Sequence, residues 1–373
     1  MSIIKVLVAG LSIIYLTIKI IQWVKKRQRL IAAIERLPGP PALNWAPFVN
    51  HALAMLYLDS ILQHKLGTFV IIYHLISTLY TLFPDTGICR FWLGWKPIVV
   101  LFSPENIEQV LNSTTVINKA DEYRFFEPWI GEGLVTSKRN KWRFRRKILT
   151  PAFHFRILND FLPIMNKEAS KLVQKLSQDK YMSPKCKQDR SNSMGKTIDI
   201  VPLIALCTLD TICETAMGVN INCQDDADGR QSHYVKCLNE VGEMALTRVT
   251  RPWLWFDAIF NRTKAGQKFN EAKNYMHEFS KKVILERKRE WETMLEARRP
   301  KESGDAIEKK DSTKMTFDDV MKSSLFGDSN KRLAFLDLML HQHLIENNMS
   351  LDDIREEVDT FMFAVSMKDN LSI

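Results

Sequence analysis

Trp142 and Arg146 stand four residues apart in the run NKWRFRRKI, residues 140–148. Positions i and i+4 share one face of a helix. An indole N–H and a guanidinium are both donors, with no acceptor between them. Such a face suits an anionic carboxylate. Arginine suits it best, because its planar fork matches carboxylate geometry and stays charged. Arg143 and Lys147 form a second i, i+4 pair on a different face, which could meet an acidic partner. The plainer reading is a solvated basic helix with its tryptophan packed inward. The six cysteines include no Cys-x-x-Cys pair and no zinc-finger spacing with histidine. They read as free thiols in a reducing compartment, several of them buried.

Those donors need elements to hold them, and the chain has material for a large core. Of its 373 residues, 46% are hydrophobic and 25% charged, the balance of a globular protein. The net charge of +9 favours anionic partners: lipid headgroups, nucleic acid or an acidic protein surface. Residues 6–24, VLVAGLSIIYLTIKIIQWV, form an apolar run long enough to span a bilayer as a helix. Lys19 lies near its end, where it can snorkel. Lys25, Lys26, Arg27 and Arg29 follow and place that side in the cytoplasm. Leu37-Pro-Gly-Pro-Pro41 cannot continue a helix and reads as a stiff link. The organisation expected is therefore an anchor at 1–24, a basic and Pro-rich linker at 25–41, and one body at 42–373. Sequons at Asn112, Asn261, Asn348 and Asn370 would matter only with the body in the lumen.

Within the body, Gly67–Phe83 carries no formal charge and reads as a buried or interfacial helix, although a second span has the same signature. Ile88–Val100 is aromatic and β-branched, with a turn expected at Gly94–Pro97, so it reads as a hairpin. Ser103-Pro104-Glu105 opens a short helix. Helical patterns then dominate: 158–176, 204–217, 235–246, 268–297 and 333–345. A last helix is capped at Ser350–Asp353. Residues 298–314 read as a flexible loop, and Glu286–Arg289 and Glu296–Arg299 as surface pairs. The class is mainly α with a small β region.

The run GEGLVTSKRNKWRFRRKILTPAFHF, from Gly131 to Phe155, resembles the C-helix region of cytochrome P-450 enzymes, nearest the fourth family of fatty-acid omega-hydroxylases and insect members. Six further blocks are similar and fall in the same order. They are LPGPP at Leu37, FWLGWKPIVVLFSPENIEQVLNS at Phe91, TIDIVPLIALCTLDTICETAMG at Thr197, RPWLWFDAIF at Arg251, LAFLDLML at Leu333 and DDIREEVDTFMF at Asp352. The resemblance implies a heme cofactor whose propionates are contacted by Trp142 and Arg146. It implies the N-terminal portion of the P-450 fold behind a single transmembrane helix at the endoplasmic reticulum. It implies insertion of oxygen from O2 into a hydrophobic fatty acid or xenobiotic, with electrons from a flavoprotein reductase that the Arg143/Arg145/Lys147 surface would suit.

DDIREEVDTFMF resembles the start of the family's long I-helix. Ala364 matches the first position of the oxygen-handling motif that follows there. Val365 stands where glycine belongs, and the acid-threonine pair is missing. The family's Phe-x-x-Gly-x-x-x-Cys heme loop does not occur in the sequence, so none of the six cysteines reads as the axial ligand. The match stops abruptly after Phe363, which reads as a truncated transcript, a retained intron or a gene-model error. Two further functions stand beside the monooxygenase. One is a non-catalytic, membrane-tethered fragment. The other, a basic nucleic-acid binder, has the charge but no binding motif or aromatic-interleaved basic stripe, and no nucleic-acid partner is expected.

Overall fold

The computed structural model describes residues 2–41, 51, 57, 68–177, 200–225, 230–297 and 334–371. The flexible loop expected at 298–314 lies outside them, as do Cys186 and one partner of the Glu296–Arg299 pair. The chain divides into two compact units.

The first unit comprises residues 1–116 and 246–256. It opens with α1, Ser2–Ile34, which runs through the basic cluster without a break. The expected linker is therefore helical up to Ile34 and leaves the helix only near the prolines. Among the described residues no helix is long and apolar enough to cross a membrane. From Gly10 onward, Lys19 and then Lys25–Arg27 shorten the uncharged stretch. Helix α2, Thr68–Leu82, matches the charge-free run.

The hairpin pairs β1, Ile88–Leu93, with β2, Lys96–Leu101. Its turn is only Gly94 and Trp95, tighter than the four residues expected, and Gly94 takes the positive φ that such a turn requires. Pro97 lies inside β2 opposite Trp92. The N–H and C=O of Trp92 turn outward to His51, so this is a pair without cross-strand hydrogen bonds. Proline's missing N–H costs nothing there. Arg90 ties the hairpin to the end of α1, reaching Glu35 Oε2 at 2.5 Å and Pro40 O at 2.8 Å. Ser103 caps α3, Pro104–Leu111, by accepting from Asn106 N at 3.3 Å.

The second unit comprises residues 117–245 and 257–373. Its helices are α4, Arg139–Leu149; α5, Phe155–Leu176; α6, Val201–Ile212; α7, Arg230–Thr250, whose last turn lies in the first unit; α8, Lys264–Ala297; α9, Phe335–Leu344; and α10, Leu351–Leu371. Helix α6 ends in a wider turn over Cys213–Met217, stopped by Gly218 in a left-handed conformation. Helix α10 packs against α6, α8, α9 and the single helical turn Glu127–Ile130. Ile354, Val358 and Met362 form its buried apolar stripe at i, i+4 and i+8. Helix α8 buries Phe269, Ala272, Met276, Ser280, Val283 and Ile284 on one face and leaves its charged face to solvent, as its composition predicts. Asp337 ties α9 to α8 by accepting from Arg287 Nε at 2.7 Å and Trp291 Nε1 at 2.6 Å.

Candidate functional site

Helix α4 carries two adjacent stripes with opposite fates. Lys141 and Arg145, at i and i+4, face α10. Trp142 and Arg146, one residue further on, lie about 100° around the same helix. Arg145 is 2% exposed. Its Nη1 donates to Asp353 O at 3.0 Å, and its Nη2 lies 2.5 Å from Asp353 Oδ1 and 3.3 Å from Glu356 Oε2. Its Nε is 3.7 Å from Glu357 Oε1. Lys141 Nζ bridges Glu132 Oε2 and Glu356 Oε2, both at 3.0 Å.

The segment leading into α4 is fastened to the same helix. Leu134 N–H donates to Glu357 Oε2 at 3.0 Å, and Thr360 Oγ1 reaches Ile130 O at 3.4 Å. Glycine is required here because the backbones approach closely. A Cβ on Gly133 would strike Thr360 Oγ1, and one on Gly131, already at φ 62°, would strike the Glu356 side chain. Asp353 also closes the capping box of α10: Ser350 N donates to its Oδ2 at 2.9 Å, and Asp353 N donates back to Ser350 Oγ at 3.1 Å. The Ser350 bonds and the charges of Arg145 and Lys141 outweigh burial and hold the Asp353 carboxyl below its ordinary range. Glu357 has the opposite balance. It is fully buried, and burial pushes its pKa up to about 7 against the pull of Arg145.

The Trp142 and Arg146 stripe has no such satisfaction. Trp142 is half-buried and Arg146 exposed, and among the described residues neither side chain donates a hydrogen bond. The pair does share one helical face. The Arg143 and Lys147 pair is exposed as well. Arg145 corrects the sequence reading. It is no part of a basic surface, because its guanidinium is spent on α10. Ala364 lies on α10, one turn beyond Thr360, exposed, and on a different helix from the other two candidates. Sequence reasoning missed Lys141, Arg145 and their acidic partners. The signal was present as two complementary patterns, basic at 141 and 145 and acidic at 353, 356 and 357, each at helical spacing.

The described cysteines, Cys89, Cys207, Cys213, Cys223 and Cys237, are all buried, and none is in a disulfide. Burial raises the thiol pKa of Cys89, Cys213 and Cys237. Among the described residues no group of three or more His, Cys, Asp or Glu side chains could hold a metal ion.

Comparison with known proteins decides the family. The model of the cytochrome P450 family matches residues 74–366. The chain belongs to the cytochrome P450 family. Its similarity is to family-four members. It is 36% identical to cytochrome P450 4c3 of Drosophila melanogaster over 361 residues, covering 96% of this chain and 58% of that protein. It is 42% identical to human cytochrome P450 4V2 over 275 residues, covering 74% of this chain and 45% of that protein. Against cytochrome P450 4d1 of Drosophila melanogaster the identity is 33% over 340 residues, 91% of this chain and 57% of that protein. The chain thus spans about half the length of the curated relatives it matches.

Cytochromes P450 are heme-thiolate oxidoreductases, and this chain's residues fit one part of that cofactor. An open indole N–H and an open guanidinium on one face match a carboxylate edge. None of the described cysteines stands in the family's Phe-x-x-Gly-x-x-x-Cys pattern.

Proposed function

We propose that this P450 chain supplies the heme-edge helix and the oxygen-side helix of a monooxygenase that inserts one atom of O2 into a hydrophobic substrate of the fatty-acid or xenobiotic class. The observation that carries this is the open donor face of α4, where Trp142 and Arg146 project beside a stripe that is already satisfied. Heme, when bound, would supply the redox chemistry of oxygen insertion. The chain's own residues orient and exclude. Trp142 Nε1–H and the Arg146 guanidinium would hold the propionates, while the buried stripe of α10 keeps water from the body of the unit. Ala364 is the residue that the family pattern sets on the oxygen side.

The surface of α4 and the length of α1 suit the remaining partners. Arg143 and Lys147 are exposed and cationic, as docking to an acidic flavoprotein reductase would need. From Leu11 to Val24, α1 exposes apolar side chains around its circumference, including Ile13, Ile14, Leu16 and Trp23. That surface, followed by Lys25, Lys26, Arg27 and Arg29, suits an anchor in the endoplasmic reticulum membrane with the body on the cytosolic side.

A second reading, a membrane-tethered chain without catalysis, is favoured by the described cysteines, none of which stands in the family's Phe-x-x-Gly-x-x-x-Cys pattern. Hemin titration of residues 1–373 tests the first reading. Trp142→Ala with Arg146→Ala is expected to weaken hemin binding roughly tenfold or more, as the loss of two charge-assisted or donor contacts would. Unchanged affinity would sink the propionate assignment. A reduced carbon-monoxide difference spectrum with a thiolate-type Soret band would exclude the second reading.

A further inference from the structure

We infer that Arg145 and Lys141 are positioning residues: their clamp onto Asp353, Glu356 and Glu357 sets the rotation of α4, and that rotation aims Trp142 and Arg146 at the acidic edge of the cofactor. The inference rests on the propionate reading above and deepens it.

The two helices meet by reaching side chains. A guanidinium that contacts Asp353 through both its side chain and its backbone carbonyl fixes one height along α10. The Arg145 Nη2–Glu356 contact at 3.3 Å and the Lys141 bridge to the same carboxylate fix a second point one turn away. Two points on each helix determine both the register and the rotation of α4. The incoming segment adds a third, at Leu134 N–H to Glu357. Helical geometry then leaves no freedom for the next stripe, because 142 and 146 follow 141 and 145 by a fixed angle. A planar fork holds such a rotation more firmly than a single ammonium on a flexible stem, so Arg145 sets it and the Lys141 bridge supports it. This is the arrangement by which metal and cofactor ligands are elsewhere oriented from behind by a further layer of hydrogen bonds.

The clamp is cation-poor. Lys141 and Arg145 face Glu132, Asp353, Glu356 and Glu357. Removing one carboxylate therefore leaves no bare positive charge, and Glu356→Gln is a mild lesion suited to a test. So is Arg145→Lys, which keeps the charge and loses the fork.

The experiment labels the full chain with 5-fluorotryptophan and follows the fluorine resonance of Trp142, assigned by its loss in Trp142→Phe. The apo chain and its titration with hemin are both read, with the dimethyl ester of hemin as a control lacking free carboxylates. In the apo chain, Glu356→Gln and Arg145→Lys are expected to shift or broaden the Trp142 line while the line of Trp291 stays put. Hemin affinity should fall roughly ten- to a hundredfold in either variant, the range seen when an orienting partner is lost. In an Arg146→Ala background the same substitutions should cost much less, because half of the face they aim is gone. A Trp142 line and a hemin affinity indifferent to both substitutions overturn the clamp as a positioning device. A purely structural role would instead give additive losses with and without Arg146. A wild-type Trp142 line that ignores hemin, or answers its dimethyl ester equally, overturns the propionate reading and the aim of the clamp with it.

Discussion

Helix α10 buries acids on two flanks, and the flanks solve the same problem differently. Toward α4, Glu357 and its neighbours are neutralised by cations from another helix, Arg145 and Lys141. Toward α8, Asp359 takes its cation from its own helix, with Arg355 Nη1 at 2.9 Å, and is otherwise met by the Ser280 hydroxyl and, at 3.7 Å, by His277 Nε2. The first flank ties two elements together through charge. The second keeps its charge within one helix and ties the elements through neutral donors. Buried ion pairs do little net stabilising but are costly to break. The α4 flank should therefore be the more fragile to single substitutions, and it is the flank beside the candidate site.

The largest effect is expected from Arg145→Ala. It strips the cation from beside a fully buried Glu357 and opens the Asp353 and Glu356 contacts at once. Removing one partner of a buried pair costs about 3–5 kcal/mol, measurable by denaturant unfolding. Lowering the pH should shrink that loss, since Glu357 can then take a proton in place of the lost partner. A penalty that grew on acidification would reverse the assignment. On the other flank, Asp359→Asn should cost less, about 1–3 kcal/mol, because Ser280 and Arg355 still find an amide oxygen to donate to. If Asp359→Asn proves the costlier of the two, the contrast between the flanks fails.

The pH profile sharpens the comparison further. Burial holds both Glu357 and Asp359 up to about 7. A carboxyl whose folded pKa lies above its unfolded one stabilises most at low pH and loses that contribution as the pH rises through about 7. His277 runs the other way. Burial pushes its ring down to about 4 while its Nε2 lies 2.6 Å from Trp129 O. Its contribution is present above the ordinary value of 6.5 and is lost as the pH falls toward 4. Between those limits the acids and the histidine oppose one another. Glu357→Gln should flatten the loss of stability seen between acidic and neutral pH, and His277→Asn should steepen it. Thermal unfolding at a series of pH values distinguishes the two directions.

The elements of the fold were legible wherever periodicity or caps were strong. The Ser103 and Ser350 caps start their helices where their chemistry places them, and the hairpin follows its aromatic and β-branched run. Helix ends without such signals ran on: α7 extends to Thr250 and α8 begins at Lys264. That one helix carries both Trp142 and Arg146 was equally legible from their spacing. The closed half of the site was not. Arg145 sits in the same basic run as exposed Arg143 and Lys147, and only the packing of α10, more than two hundred residues later in the chain, separates buried from exposed. A basic residue on a helix reads as solvated until the acid that claims it is known. Burial of Glu357 was likewise hidden, because the adjacent acids of EEVD do not by themselves tell which one faces inward.

The smallest effects belong to Lys141 and its partner Glu132. The Lys141 ammonium makes two 3.0 Å contacts. Its side chain is 33% exposed, however, and Glu132 is 57% exposed, so water already competes for both. The two glutamates raise its pKa against burial, which shows attraction but not net stabilisation. An exposed pair of this kind is worth at most about 1 kcal/mol. Lys141→Ala should therefore cost about 1 kcal/mol or less, and Glu132→Ala less still, while 1 M salt should erase most of either effect. Arg145→Ala, shielded from solvent, should keep nearly its whole penalty at the same salt. Equal salt sensitivity for the two substitutions would mean that water reaches Arg145 as well, and the α4 flank would then be a surface contact instead of a buried clamp.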